Sequence, residues 1–188
     1  KNWAPIAGDG ELTNKTLVIL GYGGIGSQVA KIGKAFGMRV TGIRRNPQDD
    51  EHADEVLGLD RFEELLPLTD YLVLSLPDSS QTRDIINADI LEKLNSSAMI
   101  INVGRGTAIN EDDLTHALND GKIAAAALDT TKVEPLDANS SLWTAKNCFI
   151  SAHDSAHSLL SLERAFELFF QNIKNIQNGQ PIKNLYSE

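Results

Sequence analysis

The sequence predicts an α/β fold: a mainly parallel, doubly wound sheet with helices on both faces. Three observations carry this. Short apolar runs recur along the chain, and most are apolar throughout rather than alternating. Strands buried on both faces read this way. Segments with helical spacing lie between the runs, and alternation of strand with helix is the signature of a parallel sheet covered by helices. A glycine-rich turn joins the first run to the first helical segment.

The elements follow in order. TLVIL (Thr16–Leu20), RVTGI (Arg39–Ile43), YLVLSL (Tyr71–Leu76), AMIINV (Ala98–Val103), IAAAAL (Ile123–Leu128) and CFI (Cys148–Ile150) are the expected strands. Ile25, Val29, Ile32 and Phe36 step along one face of a helix over 25–36. A helix over 111–119 opens with Glu111, Asp112 and Asp113 and stops before Gly121, as the helix dipole and a glycine terminator require. A long final helix over 159–178 steps through Leu162, Phe166, Phe169, Ile173 and Ile176, then meets Gly179 and Pro181. No internal repeat or low-complexity linker divides the chain, so residues 1–188 read as one domain, with 180–188 as a tail.

Bulk properties narrow the function. With 17 basic and 26 acidic residues the formal net charge is −9, which disfavours nonspecific binding to nucleic acid or to anionic membranes. A single cysteine, Cys148, rules out an internal disulfide and fits a reducing compartment. No apolar run approaches the ~20 residues that span a bilayer, and KNWAPIAGDG has no signal-peptide core. A cytoplasmic location is expected.

LVILGYGGIG sets Gly21, Gly23 and Gly26 directly after a strand and at the mouth of a helix. In that context GxGxxG is a dinucleotide-binding turn of the Rossmann type. Its first glycine makes the turn, the second lets backbone approach a pyrophosphate, and the third lets helix pack on strand. The helix N-terminus offers N–H groups and partial positive charge to the phosphates. An NAD site has an acid at the end of the second strand to bind the ribose 2′-hydroxyl. Here Arg44 and Arg45 stand there. Arginine cannot accept a hydrogen bond from a hydroxyl, but it clamps a 2′-phosphate. The expected cofactor is therefore NADP(H) in preference to NAD(H), with NAD(H) possible.

Ligands in open α/β sheets bind beyond the carboxyl ends of the strands. After AMIINV comes Arg105, between two glycines. After IAAAAL come Asp129 and then Glu134, before Pro135. After CFI comes His153, in SAHDSAH. Arginine can hold a carboxylate and polarise a keto oxygen, and histidine can exchange a proton near neutral pH. A nearby glutamate favours imidazolium and orients the ring. His153 and His157 are spaced for one helix face, but no third ligand accompanies them, and no metal is expected.

These residues also carry a resemblance. ELTNKTLVILGYGGIG, LSLPDSSQTRDIIN, AMIINVGRGTAINEDDL, AALDTTKVEPL and ISAHDSA occur in the order typical of the nucleotide-binding domain of the D-isomer-specific 2-hydroxyacid dehydrogenases. The resemblance covers nearly the whole chain and is of the NADPH-type glyoxylate/hydroxypyruvate reductase kind. It implies that His153 is the acid/base, Glu134 its partner and Arg105 the substrate anchor. It implies cofactor contacts from Tyr22, Gly23, Gly24 and Ile25, from Arg44 and Arg45, from Leu76, Pro77 and Thr82, from Val103, Gly104 and Arg105, and from Asp129, His153 and Ala156. Two departures stand out. Ala152 replaces the family's usual proline before the histidine, and Asp154 replaces a small or apolar residue after it.

The resemblance implies an oxidoreductase that moves hydride between a nicotinamide cofactor and a 2-keto or D-2-hydroxy acid, and a homodimer formed through this domain. The Trp3 segment and the helices beside the glycine loop are the candidate dimer contacts. It further implies a substrate domain, mostly N-terminal, that this chain lacks. The chain is thus expected to be a separate domain, a proteolytic fragment or a truncated product that binds dinucleotide and turns over little. The alternative is a nonenzymatic NAD(P)(H)-responsive binding protein similar to the superfamily's corepressors.

Overall fold

The computed structural model describes residues 10–184. Trp3, expected at a dimer contact, and residues 185–188 of the expected tail lie outside the described residues. The chain divides into two compact units, with the boundary between Ala152 and His153.

The first unit is a seven-stranded sheet. Its strands are β1 (Thr16–Leu20), β2 (Arg39–Ile43), β3 (Glu55–Leu57), β4 (Tyr71–Leu74), β5 (Met99–Asn102), β6 (Ala125–Leu128) and β7 (Cys148–Ile150). They lie in the order β3-β2-β1-β4-β5-β6-β7, and every neighbouring pair is parallel. This is the doubly wound arrangement that the sequence predicts. The helices are α1 (Gly24–Ala35), α2 (Phe62–Leu65), α3 (Ala88–Lys93) and α4 (Glu111–Asn119).

The unbroken apolar strands are explained by two cores. From β1, Val18 and Leu20 enter one cluster with Leu72, Leu74, Ile100 and residues of α2, α3 and α4. Leu17 and Ile19, alternate in sequence, enter another with Val40, Val73 and Ala30 of α1. Successive strand side chains point to opposite faces, so a strand with a core on each side is apolar at every position.

Helix α1 differs from the expected amphipathic reading. The residues it buries are Gly26, Ala30 and Gly33. Its larger apolar residues Ile25 and Ile32, and Phe36 at its C-terminal cap, are more than half exposed. The helix packs through small residues because it lies close to the sheet: a Cβ on Gly33 would stand 2.6 Å from Leu17 Cδ2. Helix α4 matches its expected bounds, with the Asn110 side chain accepting from the Asp113 N–H at 3.2 Å.

The second unit contains α5 (Ser161–Gln177), after which Gly179 takes φ 63°. Buried Asn175 donates through Nδ2 to the Pro181 carbonyl at 3.0 Å and ties the following residues to the helix. No described helix is long and apolar enough to cross a membrane.

Candidate dinucleotide-binding and active site

The strand order reverses direction at β1, which has β2 on one side and β4 on the other. Connections diverge there and leave a crevice at the carboxyl ends of the strands. The glycine turn lies in it. Gly21 takes φ 101°, and its N–H donates to the Ile43 carbonyl at the end of β2. The Ser75 hydroxyl, just past β4, donates to the Gly21 carbonyl at 2.7 Å. The turn is thus fastened to both flanking strands. A Cβ on Gly26 would approach the Gly21 carbonyl oxygen to 2.8 Å, so α1 begins as near β1 as glycine permits. A Cβ on Gly23 or Gly24, by contrast, would meet no protein atom within 4 Å. The backbone there borders open space at a helix N-terminus, a cradle suited to a pyrophosphate.

Tyr22 sits in the same turn. Its side chain is buried, its N–H donates to the Ile43 carbonyl, and its hydroxyl donates to Asp50 Oδ1 at 3.0 Å. Through these bonds Tyr22 supports the loop.

Strand β2 ends at Ile43, so Arg44 and Arg45 are the first residues beyond it. Arg44 is half-buried and its N–H donates to the Leu57 carbonyl of β3. Arg45 is exposed and donates to Gln81 Oε1 at 3.3 Å, on the loop after β4. A carboxylate also occupies this region. Asp50 accepts from the His52 N–H at 2.9 Å as well as from Tyr22. The His52 N–H is the main cause that holds its carboxyl below the usual range, with Tyr22 adding to it.

The loop after β4 carries Leu76, Pro77 and Thr82. The Thr82 hydroxyl donates to the Pro77 carbonyl at 2.8 Å and accepts from the Ser79 N–H at 3.0 Å, so this side chain shapes the loop from within. Asp78 links it to the next loop, accepting from the Thr107 hydroxyl at 2.9 Å and from Arg83 at 3.2 Å.

Beyond β5, Val103, Gly104 and Arg105 are held by Asn102. That residue is fully buried; its Oδ1 accepts from the Gly104 N–H at 3.0 Å and its Nδ2 donates to the Arg105 carbonyl at 3.1 Å. Arg105 is exposed and donates to the Gly104 carbonyl. Beyond β6, Asp129 is buried and accepts from the Ser151 hydroxyl at 2.7 Å. Glu134 is exposed and its Oε1 accepts from the Thr131 N–H at 3.0 Å.

The structure therefore brings Gly24 and Ile25, at the start of α1, and Gly23, Arg44, Arg45, Leu76, Pro77, Thr82, Val103, Gly104, Arg105, Asp129 and Glu134, on loops, to the carboxyl edge of one sheet, all within the first unit. His153 and Ala156 belong to the second unit. His153 follows the end of β7 by three residues (150 to 153) and takes a left-handed φ of 55°. Three supporting residues escaped the sequence reading: Asn102, Ser75 and Asp50. A polar residue closing an apolar strand was the available signal for Asn102. For Asp50 nothing local distinguishes it within the run QDDEH.

A glycine cradle at a helix N-terminus, at the switch point of a parallel sheet, defines a dinucleotide-binding domain. The family model described as "D-isomer specific 2-hydroxyacid dehydrogenase, NAD binding domain" matches residues 1–155. The chain belongs to that family. A hydroxypyruvate reductase of Blautia hydrogenotrophica is 36% identical over 174 residues, covering 92% of this chain and 53% of that protein. A glyoxylate reductase of Aeropyrum pernix is 37% identical over 186 residues, covering 97% and 55%. Among solved structures, the NADPH-dependent glyoxylate/hydroxypyruvate reductase of Sinorhizobium meliloti in complex with NADP and sulfate superposes with a TM-score of 0.87 at 28% identity, covering 98% of this chain and 59% of that one. The chain thus spans about half the length of the curated relatives it matches.

Proposed function

We propose that the intact protein reduces a small 2-keto acid of the glyoxylate or hydroxypyruvate class to the 2-hydroxy acid, with NADPH preferred over NADH. What supports this reading most is that Arg105 and Glu134 follow neighbouring parallel strands at the same sheet edge as the glycine cradle. The names of the relatives and the NADP found in related structures support the substrate class and the cofactor.

A nicotinamide dinucleotide bound in the cradle supplies the hydride for the carbonyl carbon. The chain does the rest. The N–H groups at the start of α1 and the glycine backbone hold the pyrophosphate. Arg44, with Arg45, takes the 2′-phosphate of the adenosine ribose. The Arg105 guanidinium holds the substrate carboxylate and polarises the keto oxygen. His153 donates the proton that the new hydroxyl oxygen needs, with Glu134 as its catalytic partner.

In this reading the chain is one domain of a longer protein whose substrate domain completes the pocket and excludes water. The intact protein is a cytoplasmic homodimer formed through this domain. The outward apolar residues of α1 support it as a contact, since exposed apolar stripes mark association surfaces. The 188-residue chain alone binds dinucleotide with little turnover. The test is an initial-rate assay of the intact protein with glyoxylate, hydroxypyruvate and pyruvate against NADPH and NADH. Reduction with NADPH favoured is the expected result; no reduction of any of the three would refute the proposal.

A further inference from the structure

At the end of β2 the sequence has arginine where an NAD site has an acid. The loop that leaves β2 nevertheless carries an acid, and the glycine turn holds it. The Tyr22 ring lies flat against β2: a Cβ on Gly42 would stand 2.2 Å from Tyr22 Cδ2, so glycine is what lets the ring occupy that place. From this fixed position the phenol reaches outward and holds Asp50 Oδ1 at 3.0 Å, while the His52 N–H holds the same oxygen at 2.9 Å. Two donors on one oxygen stop the carboxylate from swinging into solvent. Its neighbours Asp49 and Glu51 are exposed, and Glu51 lies 3.8 Å from His52 Nε2. The Tyr22 N–H also donates to the Ile43 carbonyl at 2.8 Å, one residue before Arg44, so the ring and the Asp50 it holds are anchored where the arginine pair begins. The glycine turn, the tip of β2 and the loop after it therefore form one assembly that holds a pinned anion in the loop that Arg44 opens.

We infer that Asp50 sets cofactor selectivity: it is a fixed negative charge that opposes the 2′-phosphate at Arg44 and so narrows the preference for NADP(H) over NAD(H). The inference rests on the proposed role of Arg44. A 2′-phosphate carries up to two negative charges at neutral pH, whereas the 2′-hydroxyl of NADH is uncharged. A carboxylate in the same subsite therefore raises the free energy of one complex and not of the other. The acid that an NAD enzyme uses to select its cofactor is here displaced to a flanking position, where it moderates the arginine instead of replacing it. Such a pairing suits an enzyme that accepts both cofactors while favouring one.

The test is to titrate the intact wild-type protein and Asp50→Asn with NADPH and with NADH, at low and at high salt. Removing the charge should raise the ratio Kd(NADH)/Kd(NADPH) by roughly 3–10-fold at low ionic strength. The rise should shrink at about 0.5 M salt, because screening weakens an exposed charge pair. Asp50→Ser, a second neutral replacement, should shift the ratio in the same direction. An unchanged or lowered ratio in either variant overturns the inference. So does a loss of affinity equal for both cofactors, which is what a purely structural role of Asp50 would give. A wild-type protein that binds NADH as tightly as NADPH would refute the cofactor preference proposed above, yet the ratio in the variants would still decide the role of Asp50.

Discussion

Arg105 and Asn102 show how differently neighbouring residues register in a sequence. Arg105 is conspicuous because a lone cation between two glycines after an apolar strand has few other uses. Asn102, three residues earlier, does the holding, and its burial with both amide groups satisfied becomes evident only in the fold. Asp50 was illegible for a related reason: the hydroxyl that pins it comes from Tyr22, 28 residues away, across the tip of β2. Local pattern reveals the groups that meet a ligand and conceals those that hold them. At this scale Arg44→Ser is expected to weaken NADPH binding by roughly 10–100-fold, the equivalent of one charge-assisted hydrogen bond. NADH binding should change far less, and comparing the two dissociation constants checks it.

Among the elements, β1, β2 and β7 were legible residue by residue, since each is a short apolar run bounded by turn residues. Strand β4 ends at Leu74, not at Leu76 as the run of apolar residues suggests. Just past that end the Ser75 hydroxyl bonds to the glycine loop. Strand β3 was not legible: three residues with Val56 as the one buried side chain leave no periodicity to read. Helix α1 was found, but its packing face was not, because Gly26, Ala30 and Gly33 carry no hydrophobic signal. That face yields a prediction. In Gly26→Ala the added methyl meets the Gly21 carbonyl oxygen, backbone that cannot rotate aside. The variant should lose about 1–3 kcal/mol of stability and bind dinucleotide more weakly, as denaturant midpoints and titration would show. Wild-type values for both would mean that the turn is looser than the structure shows.

For the whole molecule, the same tethers predict how stability responds to pH. Burial, with the Asp50 bond next, pushes the Tyr22 phenol up to about 12. A raised pKa favours the neutral phenol in the fold. Its stabilisation is complete below the ordinary value of ~10 and is lost as pH rises through about 12. Tyr22→Phe should flatten this alkaline decline. Asp54, bonded by Lys34 and by the Val40 N–H, and Asp50 both have lowered values. Their stabilisation is complete above ~3.9 and is lost as pH falls through those depressed values. Urea midpoints measured across the pH range check both limbs.

In the proposed reaction His153 donates the proton to a keto acid oriented by Arg105. The most direct test is steady-state reduction of glyoxylate or hydroxypyruvate by the intact protein and its His153→Ala variant, with NADPH affinity measured alongside. The account predicts that turnover falls by about 10²–10⁴-fold while NADPH binds as before. Undiminished turnover in the variant would contradict it.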